Sequence, residues 1–533
     1  MASQPAPAFV HRSVPASVLA PAHGQSTPDT GARAGTTTAH IPAPETCVTI
    51  HVVGLGPGDP DLLTVQARRV LESAPVIWCR TLQHPTLHAL SLPGRLESFD
   101  PLYEAAERFE ELYEQIVDRL LAQAAAGDVV YAVPGHPLVG EATVRCLRDR
   151  AVAAAVEVRF VEGLSFIEPV CTTLGLDPLA AGLQVVDALD PRLDPALPAL
   201  VAQVYNRRVA ARLKLALLEL YPPHHTVHVV RNAGAPGGAE VEPLPLEEID
   251  RQDGRFHHLA CLYLPPLPLE LNLRTFGGLR AITHRLRAPG GCPWDREQTH
   301  ASLRPFLLEE AYEALAALDA GDPARLAEEL GDLLLQVTLH AEIAEEGGEF
   351  TYGDMFEHIT AKLLRRHPHV FGDAVIRTAE EQWHAWQQIK RAERGDGESI
   401  LAGVPPAMPA LAYAQTVQER AMRAGFRWPQ LEDVLAKLAE EIAELRRART
   451  REEREQEFGD VLFVLVNAAQ HLGINAEDAL RAASRKFVRR FTALETLARA
   501  RGLDLAALTV AELEALWRVA KALADAGAGE AGA

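Results

Sequence analysis

The sequence predicts a multidomain protein in which an α/β part precedes two all-α domains. The chain has 533 residues, more than a single hydrophobic core usually serves. Up to about residue 268, short β-branched runs alternate with helical stretches, and after residue 273 long amphipathic helices take over. A Gly/Pro-rich stretch at residues 394–409 divides the helical part into two similar lengths, 273–393 and 410–521.

The composition excludes several classes of protein. A formal net charge of −20 argues against a nucleic-acid-binding protein, which usually carries a basic face. No stretch of the sequence reaches the roughly 20 apolar residues that span a membrane. The six cysteines are scattered without a CxxC pair, which is typical of reduced thiols, so a cytoplasmic protein is expected. Residues 1–45 are predicted to be a disordered extension and residues 522–533 a disordered tail.

The α/β part is predicted to hold a mainly parallel sheet covered by helices, because strands and helices alternate along it. The predicted helices include LLTVQARRVLES and FEELYEQIVDRLLAQAAAG. The predicted strands are VTIHVVGLG, APVIWC, DVVYAVPG, EVRFVEG, TVHVVRNAG and HHLACLYLP. The run PPLPLELN at residues 265–272 is predicted to link this part to the helices.

The helical part contains a repeat of four elements in the same order: a Trp, an E-x-x-E pair, an E-x-x-D pair and a K-x-x-R-R triplet. Helix residues three apart share a face, so each acidic pair forms one acidic face on which like charges repel. Solvated acidic faces are common on helices, but the ordered repeat argues against that explanation. The first copy comprises Trp294, Glu310, Glu313, Glu329, Asp332, Lys362, Arg365 and Arg366, and the second comprises Trp428, Glu441, Glu444, Glu457, Asp460, Lys486, Arg489 and Arg490.

Four carboxylates on two facing helices predict an all-oxygen metal site in each copy, which suits Mg²⁺ or Mn²⁺ and not zinc. The Lys/Arg triplet lies at i, i+3 and i+4, so it forms one cationic stripe. Carboxylates, a divalent metal and such a stripe together suit a polyphosphate substrate that is attacked by a metal-activated water. Trp294 and Trp428 are candidates for a slot that holds a nucleoside base, and they could equally be core residues.

These motifs resemble the MazG family over about 250 residues. The resemblance implies helical-bundle domains that form a homodimer. It also implies hydrolysis of nucleoside triphosphates between the α- and β-phosphates, with the eight carboxylates as catalytic Mg²⁺ ligands. Lys437 lies one turn before Glu441, where it could reach a phosphate, whereas the matching position of the first copy is Phe306. We therefore expect the second copy to be the stronger hydrolase. The matching segments are LRAPGGCPWDREQTHASL, FLLEEAYEAL, EELGDLLLQV, KLLRRHPHVF and WHAWQQIK, followed by AGFRWP, KLAEEIAEL, FGDVLFVLVNAA and KFVRRF.

The α/β part resembles the tetrapyrrole methylases, which use S-adenosylmethionine. The motif VVGLGPGDPDLLT follows a strand and enters a helix, and YAVPGHPLVGEATV, VEGLSFIEP and VVRNAGAPGG come after it in order. The resemblance implies two α/β lobes within residues 46–268, divided near residue 158, with the cofactor in the cleft between them. The methyl acceptor would be a tetrapyrrole or another molecule. The chain departs from the family at His136, where Asp is common. The implied cofactor-binding residues are Gly54, Gly56, Gly58, Pro134, Gly135, His136, Pro137 and Ser165.

The expected function is Mg²⁺-dependent hydrolysis of nucleoside triphosphates to monophosphates and diphosphate, beside a domain that binds S-adenosylmethionine. The alternative is a methyltransferase that uses S-adenosylmethionine and whose helical region senses nucleotides without hydrolysing them. Two complete sets of carboxylates favour the hydrolase, because a purely regulatory helical region has no need of them.

Overall fold

The structure, a computed structural model, describes residues 48–105, 109–374, 376–378, 381–382, 385–386, 389 and 399–530. The extension expected over residues 1–45 lies outside these ranges. The chain divides into two units, Met1–Tyr352 and Gly353–Ala533, and each is described by itself. Within the described ranges, no helix has the length and apolar character needed to cross a lipid bilayer.

The first lobe is a parallel sheet with helices on both faces. Its strands are β1 (Thr49–Gly54), β2 (Val76–Cys79), β3 (Arg95–Ser98), β4 (Val129–Val133) and β5 (Glu157–Val161), and its helices are α1 (Val65–Ser73), α2 (Pro85–Ala89), α3 (Asp100–Ala105), α4 (Phe109–Ala124) and α5 (Ala142–Ala151). The sheet order is β3-β2-β4-β1-β5 and its strand pairs are parallel, as predicted. Side chains alternate along β1, so Ile50 and Val52 pack against α4 and α5 while Val53 and Leu55 pack against α1 and α2. Residue 158, near which the lobes are predicted to divide, lies inside β5, the last strand of this sheet.

The second lobe holds a mixed sheet, so the prediction of a mainly parallel sheet is wrong here. Its helices are α6 (Ile167–Leu174), α7 (Pro178–Ala181) and α8 (Arg207–Leu217), and its strands are β6 (Gln184–Asp187), β7 (Ala199–Ala202), β8 (Thr226–Arg231), β9 (Glu240–Pro245) and β10 (Ala260–Leu264). The order is β6-β7-β10-β8-β9, and β6–β7 is the parallel pair while the other three pairs are antiparallel. The loop between β8 and β9 is too short for a crossover helix, so these strands must run in opposite directions. Both lobes belong to the first unit.

The first helical region contains a hairpin of two long helices. The region comprises α9 (Phe276–Arg287), α10 (Pro293–Glu297), α11 (His300–Ala320) and α12 (Pro323–Gly347). Thr299 caps the start of α11, Gly321 ends it with a φ of +66°, and Asp322 caps the start of α12. This two-residue connection makes α11 and α12 antiparallel neighbours, so their facing side chains can meet.

The second unit repeats the hairpin. It contains α13 (Tyr352–Arg366), which begins at the last residue of the first unit, and then α14 (Pro368–Phe371), α15 (Ala410–Arg423), α16 (Leu431–Arg447), α17 (Arg451–His471), α18 (Ala476–Ala500) and α19 (Val510–Glu530). The pairs α16/α17 and α18/α19 pack side by side, and α15 packs on α17 and α18. The described part of the predicted linker, residues 399–409, contains no helix. The last helix, α19, extends to Glu530 and so runs into the stretch for which a disordered tail is predicted.

Candidate functional site

The first acidic cluster consists of Glu310, Glu313 and Glu329. The two glutamates of α11 share a face because they are three residues apart, and Glu329 faces them from α12. One carboxylate oxygen of each residue lies within 4.8 Å of the others. Glu329 is buried and Glu313 is exposed, so the cluster reaches from the helix interface to solvent. Three carboxylates this close together suit a divalent cation held by oxygen ligands.

Burial and neighbouring negative charges raise the pKa values of Glu310 and Glu313 in the first acidic cluster. Burial is the largest cause of the raised pKa of Glu310, and the charge of Asp332 raises it further. The raised pKa of Glu313 is due mainly to Glu329. Asp332, the fourth predicted ligand, therefore lies within electrostatic range of Glu310, although it is outside the 4.8 Å group. A bound cation would relieve this repulsion.

The second acidic cluster, Glu441, Glu444 and Glu457, repeats the arrangement on α16 and α17. One carboxylate oxygen of each residue again lies within 4.8 Å of the others, and Glu441 is buried. Burial raises the pKa of Glu457, and the charges of Glu444, Asp460 and Glu441 raise it further. The repeat in the sequence is therefore matched by a repeated geometry of acidic side chains.

In each cluster the buried glutamate pairs with a basic residue. In the first hairpin this residue lies on the second helix, α12, and in the second hairpin it lies on the first helix, α16. Nε of Arg325 donates to Oε1 of Glu329 at 3.0 Å within α12. Nζ of Lys437 lies 2.7 Å from Oε1 of Glu441 within α16. The sequence analysis identified Lys437 and missed Arg325. The spacing of four residues before Glu329 was the signal that could have revealed it.

The two tryptophans have different surroundings. Trp294 is 53% exposed, and its ring meets the ring of Phe306 in an edge contact with centroids 5.9 Å apart. Trp428 packs against the buried side chains of Val434 and Val464. Trp428 therefore takes the core role, whereas Trp294 keeps an aromatic surface that a nucleoside base could stack on.

The two basic stripes lie on α13 and α18. The stripe on α13 falls in the second unit, whereas the first acidic cluster falls in the first unit. On α18, the guanidinium of Arg490 donates to both carboxylate oxygens of Asp525 on α19, at 3.1 and 2.7 Å, and it holds the pKa of Asp525 below its usual range. Arg490 therefore ties α18 to α19. The stripes comprise Lys362, Arg365 and Arg366 on α13 and Lys486, Arg489 and Arg490 on α18.

The predicted cofactor loops follow β1, β4 and β5 at the carboxyl edge of the first sheet. The backbone N–H of Leu55 donates to the carbonyl of Val133 at 2.8 Å, and Gly56 and Gly135 exchange backbone hydrogen bonds of 3.2 and 2.8 Å. A Cβ atom on Gly54 would lie 2.5 Å from the carbonyl oxygen of Gly135, so only glycine permits this approach. The glycines of these loops expose backbone atoms at the edge of the sheet where open α/β folds bind ligands. This arrangement fits a bound cofactor.

The loop after β1 also touches the second lobe. Gly58 has a φ of +137°, and a Cβ atom there would lie 3.2 Å from Cβ of Ala235, which follows β8. Ser165 is buried and donates to Oε2 of Glu168 at 2.6 Å, so it fixes the start of α6. Nδ1 of His136 accepts a hydrogen bond of 3.1 Å from the backbone two residues further on, which closes the turn after β4. A cofactor in the cleft between the lobes would meet these loops. Pro134, Gly135, His136 and Pro137 all lie in the loop after β4.

Comparisons with known proteins agree with both sets of motifs. A family profile described as Tetrapyrrole (Corrin/Porphyrin) Methylases matches residues 49–250. A second profile, described as MazG nucleotide pyrophosphohydrolase domain, matches residues 298–371 and 430–493. The second profile thus covers both acidic clusters.

Individual relatives share these regions. The uncharacterized protein YabN of Bacillus subtilis is 40% identical over 482 residues, which cover 89% of this chain and 98% of that protein. The nucleoside triphosphate pyrophosphohydrolase/pyrophosphatase MazG of Thermotoga maritima is 45% identical over 247 residues, which cover 46% of this chain and 95% of that protein. Among solved structures, a uroporphyrin-III-C-methyltransferase of Thermus thermophilus is 25% identical with a TM-score of 0.33, over 41% of this chain and 94% of that chain.

Proposed function

Because the chain belongs to the MazG family of nucleotide pyrophosphohydrolases and joins its MazG segments to a tetrapyrrole methylase domain, we propose that it hydrolyses nucleoside triphosphates to monophosphates and diphosphate with Mg²⁺. The observation that carries this proposal is the recurrence of three carboxylates within 4.8 Å of one another in two matching helical hairpins. Two relatives that cover the helical region are named as nucleoside triphosphate pyrophosphohydrolases.

The carboxylates of the two clusters would hold the divalent cation, with Asp332 and Asp460 as the further ligands. A bound Mg²⁺ or Mn²⁺ neutralises phosphate charge and makes a coordinated water more acidic. Arg325 and Lys437 each pair with one buried glutamate. Both side chains would be long enough to reach a phosphate oxygen of a substrate at the metal site.

We retain the proposal that the second copy is the stronger hydrolase, because Lys437 lies on the E-x-x-E helix one turn before Glu441. The first copy has Phe306 at that position and instead carries Arg325 on the E-x-x-D helix. The two copies therefore differ in where the positive charge lies and not in whether one is present.

The test is release of diphosphate from a panel of nucleoside triphosphates with Mg²⁺. Glu329→Gln and Glu457→Gln each remove one ligand, and the double variant removes one from each site. We expect the double variant to lose roughly 100-fold or more of the activity, and the single variants to reveal which copy works. Glu328→Gln and Glu455→Gln are matched controls on the exposed faces of the same helices and should keep full activity.

Calorimetric titration with Mg²⁺ provides a second measurement that does not depend on turnover. The double variant should lose Mg²⁺ binding, while the two controls keep it. If no triphosphate releases diphosphate above the double-variant background, the hydrolase proposal fails on that panel. The alternative of a methyltransferase with a nucleotide-sensing helical region would then be favoured.

We also propose that the chain forms a homodimer through its helical regions. Support comes from large apolar side chains that are exposed on α11, α17 and α18, among them Leu308 (55%), Phe458 (54%) and Val488 (61%). Large apolar side chains exposed in this number mark an interface more often than free surface. Sedimentation equilibrium at micromolar concentration tests this proposal, and a monomer there would contradict it.

We propose that the methylase domain binds S-adenosylmethionine in the cleft that holds the glycine loops, and that a tetrapyrrole or another molecule accepts the methyl group. Calorimetry with S-adenosylhomocysteine tests the cofactor assignment without requiring an acceptor.

We further propose a cytoplasmic location, where nucleoside triphosphates are abundant and thiols stay reduced. In agreement with this, Cys79, Cys146, Cys171, Cys261 and Cys292 are free.

A further inference from the structure

A polar cluster lies at the carboxyl ends of β2 and β4, beside the cofactor loops. Arg80 directly follows β2, and Glu141 ends the loop after β4. Nη1 of Arg80 lies 3.2 Å from Oε1 of Glu141, and Nε of Arg80 donates to the hydroxyl of Tyr103 at 3.0 Å. The Glu141 side chain is 5% exposed and that of Arg80 is 31% exposed, so the pair is reachable from one side only. We call Arg80, Tyr103, Tyr131, Glu141 and Thr143 the Arg80–Glu141 cluster.

One buried polar atom of this cluster, Oε2 of Glu141, has no hydrogen-bond partner among the residues that the structure describes. The hydroxyl groups of Tyr131 and Thr143 are hydrogen-bonding partners of each other; Tyr131 is completely buried and Thr143 is 1% exposed. Leaving a buried polar group unpaired is costly, and most such groups in native proteins are bonded to protein, water or ligand. Oε2 of Glu141 therefore gives the cluster unused hydrogen-bonding capacity.

The second lobe faces the cluster. The charge of Arg80 affects His258, which precedes β10, and Tyr205, which follows β7, lies within electrostatic range of Tyr113 on α4. The side-chain amide of Gln203 donates to the carbonyl of Gly140 at 3.0 Å, so the lobes are joined immediately beside Glu141. The cluster thus lies where the two lobes meet, and not on an outer surface.

The same stretch of chain connects the cluster to the cofactor loop. Six residues after Arg80, the hydroxyl of Thr86 donates to the carbonyls of Leu55 and Gly58 at 3.1 and 3.0 Å. His84 between them is 1% exposed and its ring interacts with the backbone of Gly56, which lies in the loop after β1. Burial lowers the pKa of His84 to about 4, so its ring is neutral at pH 7. A ligand at the cluster would therefore lie close to a cofactor in the loops.

We propose that the Arg80–Glu141 cluster is the acceptor subsite of the methylase domain, and that it takes a small molecule with an amine or hydroxyl group and an aromatic body. This inference rests on the proposed binding of S-adenosylmethionine. Above about pH 7, where Glu141 is ionised, its free oxygen accepts from an amine or hydroxyl and repels a carboxylate. Arg80 already has its charge balanced by Glu141, so it offers little net attraction to a polycarboxylate such as a tetrapyrrole. The half-buried rings of Tyr103, Tyr113 and Tyr205 supply aromatic contact.

The experiment uses benzylamine and benzoate as probes, because they share a ring and differ in the charged group. Each is titrated at pH 8, where Glu141 is ionised, into the full-length protein saturated with S-adenosylhomocysteine, and binding is followed by ligand-observed NMR. We expect benzylamine to bind wild type at least tenfold more tightly than benzoate, and Glu141→Gln to weaken benzylamine at least tenfold. Glu97→Gln on the neighbouring strand β3 is the matched control and should change nothing.

Three results would overturn the inference: preference for benzoate, equal binding of benzylamine by wild type and Glu141→Gln, or no binding of either probe by a protein that binds S-adenosylhomocysteine. Affinity for S-adenosylhomocysteine is measured separately in every variant. Glu141→Gln should keep it within threefold, which shows that the lobes remain folded. If wild type itself does not bind S-adenosylhomocysteine, the cofactor proposal fails first and this inference fails with it.

Discussion

Replacing Glu141 by Gln should remove a pH dependence from the stability of the first lobe. Burial raises the pKa of Glu141 from 4.5 to about 7, although Arg80 acts in the opposite direction. The folded protein therefore keeps the proton at pH values where the unfolded chain has released it. This contribution to stability is complete below about pH 4.5 and is lost as the pH rises to about 7. Because a tenfold change in proton affinity is worth about 1.4 kcal/mol, the loss amounts to roughly 3 kcal/mol.

Hydrogen exchange of the β4 amides in the full-length protein provides the assay, because these amides lie in the core of the lobe and exchange through its opening. After correction for the intrinsic exchange rate, wild-type protection should fall roughly 100-fold relative to Glu141→Gln between pH 4.5 and 7.5. Glu97→Gln should follow wild type. If wild type and Glu141→Gln keep a constant ratio over this range, Glu141 is ionised throughout. Its pairing with Arg80 would then outweigh burial, and the reasoning would be refuted.

Three further changes have defined outcomes. Lys437→Ala should lower the rate of diphosphate release roughly tenfold and leave Mg²⁺ binding, measured by calorimetry, unchanged, because the lysine is expected to contact a substrate phosphate. Loss of Mg²⁺ binding would show that the lysine positions the metal ligands instead. Gly54→Ala should destabilise the first lobe by roughly 1–3 kcal/mol and abolish S-adenosylhomocysteine binding, because the new Cβ would lie 2.5 Å from the carbonyl oxygen of Gly135. Gly277→Ala is the control that should be tolerated, because its Cβ would make only ordinary contacts. Thermal unfolding measures the stability and calorimetry measures the binding. Arg490→Ala should lower the unfolding temperature of the second unit and leave the KM for nucleoside triphosphate unchanged, because the guanidinium is bonded to Asp525. A raised KM would show that Arg490 contacts the substrate.

The acidic clusters were predictable because their geometry is local. Glu310 and Glu313 share a helix face by spacing alone, and the short connection through Gly321 and Asp322 brings α12 alongside. The same applies to the second copy. The pairing of Arg325 with Glu329 follows from the same periodicity, but the repeat does not single it out because the equivalent position of the second copy is Glu453.

The contacts that could not be predicted depend on how distant segments meet. Arg80 and Glu141 are 61 residues apart, and they meet because β2 and β4 are neighbours in the sheet. Arg490 and Asp525 are 35 residues apart on separate helices. Strands β3, β6 and β7 have only four residues each and β9 contains two prolines, so they offer little periodicity to identify. The mixture of parallel and antiparallel strand pairs in the second sheet likewise depends on which strands lie side by side, and no single strand sequence encodes it.

The positions of Arg325 and Lys437 bear on how the two hairpins diverged after a duplication. The position that corresponds to Arg325 in the second copy is Glu453, and the position that corresponds to Lys437 in the first copy is Phe306. Each buried glutamate nevertheless has one positive charge within its own helix, Arg325 for Glu329 and Lys437 for Glu441. The local charge is thus the same in both hairpins although the residues that set it are not equivalent, so either copy can change its basic residue without disturbing the other.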